Sequence, residues 1–177
     1  MPEIADPTRP VTHVLYLHGF RSSPRSAKCT QTHAWVQARE GTVWHAPQLP
    51  PSPAQAYAAI AACVRDWPMA QSAVFGSSLG GFYATRLAFE TGMRAVLINP
   101  AIRPARDLAA YIGQQPQWHA PQESFYFAPA FVDELRVLEC GAMPSPERVL
   151  LLANQGDEVL SWQEMRDRYP GSVHDIR

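Results

Sequence analysis

The sequence predicts a three-layer α/β domain: a mostly parallel sheet with helices on both faces. Three observations predict it. Strand patterns alternate with helical patterns along the 177 residues. The strand patterns, such as "SAVFGS" and "RAVLINP", are continuous apolar runs rather than in-out alternations, as expected of strands buried on both sides. One of these runs passes straight into a helical pattern through the turn "GSSLGG".

The elements follow in chain order. Residues 1–10 carry three prolines and read as a loose tail. "VTHVLYLHGF" is a β-branched strand that ends on a glycine turn. "SAKCTQTHAWVQAR" has helical spacing, with Ala27, Ala34, Trp35 and Ala38 toward one side. "TVWHAPQL" is a short strand closed by "PPSP". "PAQAYAAIAACVRDW" is a helix whose early proline stands where a missing N–H costs nothing. After "SAVFGS" comes the helix "LGGFYATRLAFETG", stopped by Gly92, and then the strand "RAVLINP". Residues 101–146 are aromatic and irregular and read as a cap-like insertion of short helices. "RVLLLANQGDE" is a strand leading into an acidic turn, and "SWQEMRDRY" is a helix opened by a Ser161/Glu164 capping box. "SVHDIR" is a final strand. No repeat or linker divides the chain, so residues 1–177 form a single domain.

Composition excludes several functions. Net charge is −1, with no basic stripe for nucleic acid. Cys29, Cys63 and Cys140 are scattered, which argues for reduced thiols rather than a disulfide framework or a zinc site. No signal-peptide pattern opens the chain and no apolar run reaches membrane-spanning length. These features predict a cytoplasmic protein with no membrane partner, no metal and no organic cofactor.

The chemistry is carried by Gly76-Ser77-Ser78-Leu79-Gly80, which matches G-x-S-x-G with Ser78 at its centre. A strand that turns sharply into a helix crowds the residues two before and two after the turn. Glycine removes the Cβ clashes there, and the central serine is lifted to the top of the sheet. Ser77 stands one position early and should point elsewhere. The pair His18-Gly19 ends the first strand, so the N–H groups of Phe20 and Leu79 are the candidate oxyanion hole, with His18 shaping the loop. Asp157, on a Gly-containing turn after an apolar strand, is the candidate acid of a triad; its neighbour Glu158 would face another way. Arg21, Arg25 and Lys28 follow the HG turn, where they would attract an anionic substrate or simply form a solvated face. Tyr111, Trp118, Phe125, Tyr126, Phe127 and Phe131 would line an acyl pocket or belong to the core.

Taken together, "YLHGFRSSPRSAK", "GSSLGGFYAT", "LINPAIRP" and "QGDEVL" resemble the YqiA/YcfP-type esterases, small members of the α/β-hydrolase superfamily. The resemblance spans residues 14–177. It implies an α/β-hydrolase fold and hydrolysis of carboxylic esters or thioesters, with acyl-CoA or small aryl esters as substrates. It maps the nucleophile to Ser78 and the acid to Asp157. In that family the base histidine follows the last strand, in a Gly-Gly-Asn/Asp-His segment, which places it after Arg177 on a truncated chain. His174 is the one histidine after Asp157 in this sequence and the alternative base. His13, His33, His45 and His119 precede the acid and fit no motif. A non-catalytic binding module without the base, and a peptidase or C–C hydrolase on the same fold, are the competing readings.

Overall fold

The computed structural model describes residues 10–118 and 120–177. Most of the predicted tail and His119 lie outside the described residues. Six strands form one parallel sheet: β1 (His13–Leu17), β2 (Val43–His45), β3 (Ser72–Ser77), β4 (Arg94–Ile98), and, after the insertion, β7 (Val149–Ala153) and β8 (Val173–Ile176). Their spatial order is β2-β1-β3-β4-β7-β8. The chain thus steps outward from β1 to β2, then crosses to β3 on the other side of β1. That reversal opens a crevice at the carboxyl ends of β1 and β3, the place where open parallel sheets bind ligands.

Handedness distributes the helices. The β1-to-β2 connection runs opposite to all the others, so right-handed crossovers put its helix, α1 (Ala27–Gln37), on one face. The remaining sheet connections put α2 (Pro53–Val64), α3 (Leu79–Thr91) and α6 (Trp162–Arg168) on the opposite face. The core on that opposite face is dense: Leu15, Leu17, Val74 and Leu97 of the sheet are fully buried against Ile60, Leu87 and Met165. On the α1 face, Phe75, Val96, Ile98, Leu150 and Leu152 are half-buried. The buried side of α1 also differs from the predicted one. Cys29 and Val36 face the sheet, while Trp35 lies 53% exposed under the Arg39 guanidinium. Small alanines and a threonine-rich sequence carry almost no apolar periodicity, so the tertiary context decides which side turns inward.

The insertion departs most from expectation. The sequence predicts short helices there. Two α-helices form, α4 (Pro104–Asp107), continued by a 3-10 turn at Leu108–Tyr111, and α5 (Pro129–Leu138), but between them lies an antiparallel hairpin, β5 (Gly113–Gln117) and β6 (Ala120–Phe127). Phe125 and Phe127 of β6 turn inward to the Phe20 ring, while Tyr126 between them is exposed. This is the two-residue period of a strand, favoured by aromatic side chains on a half-buried pleat.

The join between β3 and α3 leaves no room for side chains at its two glycines. A Cβ on Gly76 would stand 2.6 Å from the Gly80 carbonyl carbon and 2.7 Å from Ala84 Cβ. One on Gly80 would collide with the Leu17 carbonyl and stand 2.7 Å from the His18 oxygen. Between them Ser78 takes φ 54°, ψ −121°, a conformation that L-residues rarely adopt. Two stability outcomes follow. Gly80→Ala has only backbone to push against and should lose about 3 kcal/mol or more in urea denaturation. Ser78→Gly should gain about 1 kcal/mol in the same assay, because the strained φ becomes permitted; equal or lower stability would mean the elbow is unstrained.

Candidate active site

The geometry is built outward from the elbow. Ser78 N–H donates to the Ile98 carbonyl at 3.1 Å, and its carbonyl accepts from Gly81 at 2.8 Å and Ala101 at 3.0 Å. The backbone on both sides of Ser78 is thereby pinned to the end of β4. Its side chain stands against the HG turn, where a Cβ on Gly19 would lie 3.6 Å from Ser78 Oγ. Leu79 opens α3, so its N–H is among those a helix leaves without an internal partner. Phe20 directly follows Gly19. The structure therefore brings Ser78, Gly19, Phe20 and Leu79 to one point at the carboxyl ends of β1 and β3.

Ser77 turns away. It is 8% exposed and lies on the α1 face beside Tyr16. Burial first, then the Cys29 thiol, pushes that phenol up to about 12, and the Ser77 and Ser26 hydroxyls offset part of the rise. His18 is 5% exposed and used at both ring nitrogens. Its Nε2 accepts from Leu49 N–H at 3.1 Å, which leaves Nδ1 protonated, 3.0 Å from the Gly19 carbonyl. It clamps the HG turn to the loop after β2.

Asp157 sits on the loop after β7. Its Oδ1 accepts from the Val159 and Leu160 amides at 3.0 and 2.9 Å. Its Oδ2 accepts from Asn99 Nδ2 at 2.7 Å. Partial burial opposes ionisation, but the Leu160 and Val159 amides, the Asn99 amide and the Lys28 charge outweigh it, and the carboxyl is held below the usual aspartate value. Asn99 is a site residue that motif reading passes over. Its φ of 43° and its place directly after β4 are the signal, since asparagine tolerates the left-handed region at strand ends.

The basic residues divide. Arg21, at φ 60°, is committed to the hairpin: Nε donates to the Pro116 carbonyl at 2.9 Å, its carbonyl accepts from Trp118 N–H at 2.8 Å, and its guanidinium lies over the Trp118 ring. Lys28 shares a cavity with Asp157, Asp175 and Arg177. Arg25 is exposed. Of the predicted aromatics, Phe125 lines a cavity of about 350 Å³ beside the elbow, together with Phe20, Leu49, Pro51, Leu79 and Tyr83. A larger groove of about 790 Å³ lies behind α3, among the Arg106–Glu164 ion pair and Arg168, and holds none of these residues. Size and chemistry disagree here, and it is the smaller cavity that is lined by Gly19 and Leu79, the neighbours of the serine.

The described histidines other than His18 are occupied away from Ser78. His174 Nε2 is 2.9 Å from both the Tyr169 carbonyl and Ser172 Oγ, on the edge strand β8, which β7 and β4 separate from β3. His13 bonds Thr12 and packs on Trp67, His33 stacks on Trp44, and His45 meets Cys63. Among the described residues no cluster of three metal-ligating side chains occurs, and no helix is long and apolar enough to cross a membrane.

Known proteins share this architecture. A mouse protein, alpha/beta hydrolase domain-containing protein 10, superposes with a TM-score of 0.70 at 15% identity, over 93% of this chain and 78% of its own. A candidate hydrolase from Agrobacterium vitis S4 gives 0.71 at 18% identity, over 95% and 81%. An esterase from Pyrococcus furiosus gives 0.59 at 16% identity, over 94% and 73%. The fold is therefore that of the α/β hydrolases. In sequence, a UPF0227 protein of Yersinia pseudotuberculosis is 29% identical over 104 residues, 59% of this chain. The match covers 49% of that protein, so it spans about half the length of the curated relatives. The model of the uncharacterised protein family UPF0227 matches residues 13–176, and the chain belongs to that family, the YqiA/YcfP type that its motifs resemble.

Proposed function

We propose that the protein is a serine hydrolase that cleaves esters or thioesters of short acyl groups. The observation that carries this reading is Ser78 held at φ 54° between two close-packed glycines, with Gly19 beside its hydroxyl. Strain of this kind, about 1–3 kcal/mol, persists where the surroundings over-determine it, and a turn that served only to join β3 to α3 has no use for it.

In the proposed reaction Ser78 Oγ attacks the acyl carbonyl carbon and its proton passes to an imidazole. The Phe20 and Leu79 N–H groups receive the charge that develops on the carbonyl oxygen. The tetrahedral adduct expels the alcohol or thiol, which takes the proton from the imidazolium. Water then repeats the sequence on the acyl-serine. Asp157 orients the imidazole. A carboxylate has about four acceptor sites, and three of those on Asp157 are occupied, which leaves one on Oδ2 for an imidazole N–H. Two features favour delivery of that histidine by residues following β8. The Gln155 N–H donates to the Arg177 carbonyl at 2.7 Å, and the Asp157 cavity is lined by Arg177, so a chain leaving β8 emerges beside the acid. A second reading, a hydrolase-like binding module, is favoured by the engagement of His174 with Tyr169 and Ser172 on the edge strand β8.

The cavity supports a choice of acyl group. At about 350 Å³ it is near the lower end of ligand pockets, apolar along Phe20, Leu79 and Phe125. With p-nitrophenyl esters, butyrate should be turned over at least about tenfold faster than palmitate, each excluded methylene weakening binding in the transition state. Phe125→Ala should narrow that ratio. A preference for palmitate in the unaltered protein would remove the size argument. Ser78→Ala should lower kcat by about 10³-fold or more, and Ser77→Ala by little. Asp157→Asn should lose about 10⁴-fold. Equal activity of Ser78→Ala and the unaltered protein would leave the binding-module reading.

A further inference from the structure

We infer that Asn99 is a positioning residue for Asp157, an amide arm that fixes the carboxylate oxygen Oδ2 in place. The inference rests on the hydrolase reading. Asn99 stands directly after β4, is 8% exposed, and holds a left-handed backbone at φ 43°. Three of its polar groups bond to β7 and the loop after it. Its backbone N–H donates to the Leu152 carbonyl at 2.9 Å. Its Oδ1 accepts from Asn154 N–H at 3.2 Å, which fixes the amide orientation so that Nδ2 donates to Asp157 Oδ2 at 2.7 Å. The oxygen it grips is the one with an acceptor site left over.

The same residue is tied to the nucleophile. Ile98, its neighbour, accepts from Ser78 N–H, so one short segment after β4 sets both the height of the serine and the aim of the acid. A merely structural asparagine would need only its own backbone satisfied. This one spends its side-chain donor, in a strained conformation, on a carboxylate that two backbone amides already hold from the other side.

The other charged groups around Asp157 are Lys28 of α1, Glu158 on its own loop, and the mutually paired Asp175 and Arg177 at the end of β8. Lys28 favours the ionised carboxylate.

The test compares Asn99→Gly and Asn99→Asp with the unaltered protein. Glycine keeps φ 43° without strain and removes the arm to Asp157 together with the acceptor for the exposed Asn154 N–H, and aspartate replaces the donor by a like charge. Two readouts are taken: the Asp157 carboxyl titration by carbon-detected NMR, and kcat and KM on p-nitrophenyl acetate. In Asn99→Gly the titration midpoint should rise toward the ordinary aspartate value. Its kcat should fall about tenfold or more, as for one lost hydrogen bond to a charged group, with KM nearly unchanged. Asn99→Asp should raise the midpoint further and lower kcat more, because two adjacent carboxylates do not both ionise readily. Melting temperature should change little in Asn99→Gly, which separates positioning from loss of fold. An unmoved midpoint, or an unmoved kcat beside an inactive Asp157→Asn, overturns the role of Asn99 alone. Full activity of Asp157→Asn overturns the triad reading, and this inference with it.

Discussion

The structure depends on one close approach: the α3 backbone at Gly80 packed onto the carbonyls that end β1. No side chain fits between them. The contact forces the chain to reverse within a residue as it leaves β3, and Ser78 absorbs the reversal as a positive φ. It also presses the start of α3 against the HG turn. The serine, the first free amide of the helix and the Gly19-Phe20 segment therefore converge through backbone packing. The arrangement comes pre-organised, since its geometry was settled when the sheet and helix closed.

Around this point the rest of the chain acts as bracing. β4 accepts the Ser78 amide, and the residue after β4 reaches to the acid. His18 clamps the HG turn from one side by accepting from Leu49. Arg21 clamps the hairpin from the other, and Phe20 packs edge-on against Tyr111, Phe125 and Phe127. Phe20 thus belongs to two structures at once. Its backbone faces the elbow, and its ring is the floor on which the hairpin rests. In the proposed reaction, acyl selection by the hairpin and oxyanion stabilisation share one residue.

Much of this was legible in sequence because backbone constraints leave strong marks. The glycines at 76 and 80 have one steric cause, and the strand–turn–helix context follows from apolar runs alone. The Ser161 N-cap and the stop at Gly92 are equally local and form as read, although Glu164 turns its carboxylate to Arg106 instead of closing the capping box on Ser161. What was not legible depended on partners distant in the chain. The hairpin's Phe125 and Phe127 gain their strand period from Phe20, about a hundred residues earlier, and an aromatic-rich stretch without that partner suits a helix as well. Asn99 offers only an asparagine at a strand end until Asp157, on a different loop, is folded beside it. The buried side of α1 is unreadable for a related reason: its apolar residues are too small and too evenly spread for one face to dominate.

The central claim is that Ser78 is an activated nucleophile rather than a turn residue. Labelling by a fluorophosphonate probe, located by peptide mass spectrometry, tests it most directly, since the probe phosphonylates a serine only when a base can take its proton. The account predicts a single adduct per chain on the peptide bearing Ser78, formed normally by Ser77→Ala and lost in Ser78→Ala and Asp157→Asn. An adduct that persists in Ser78→Ala, or a protein that takes up no probe while remaining folded, would contradict it.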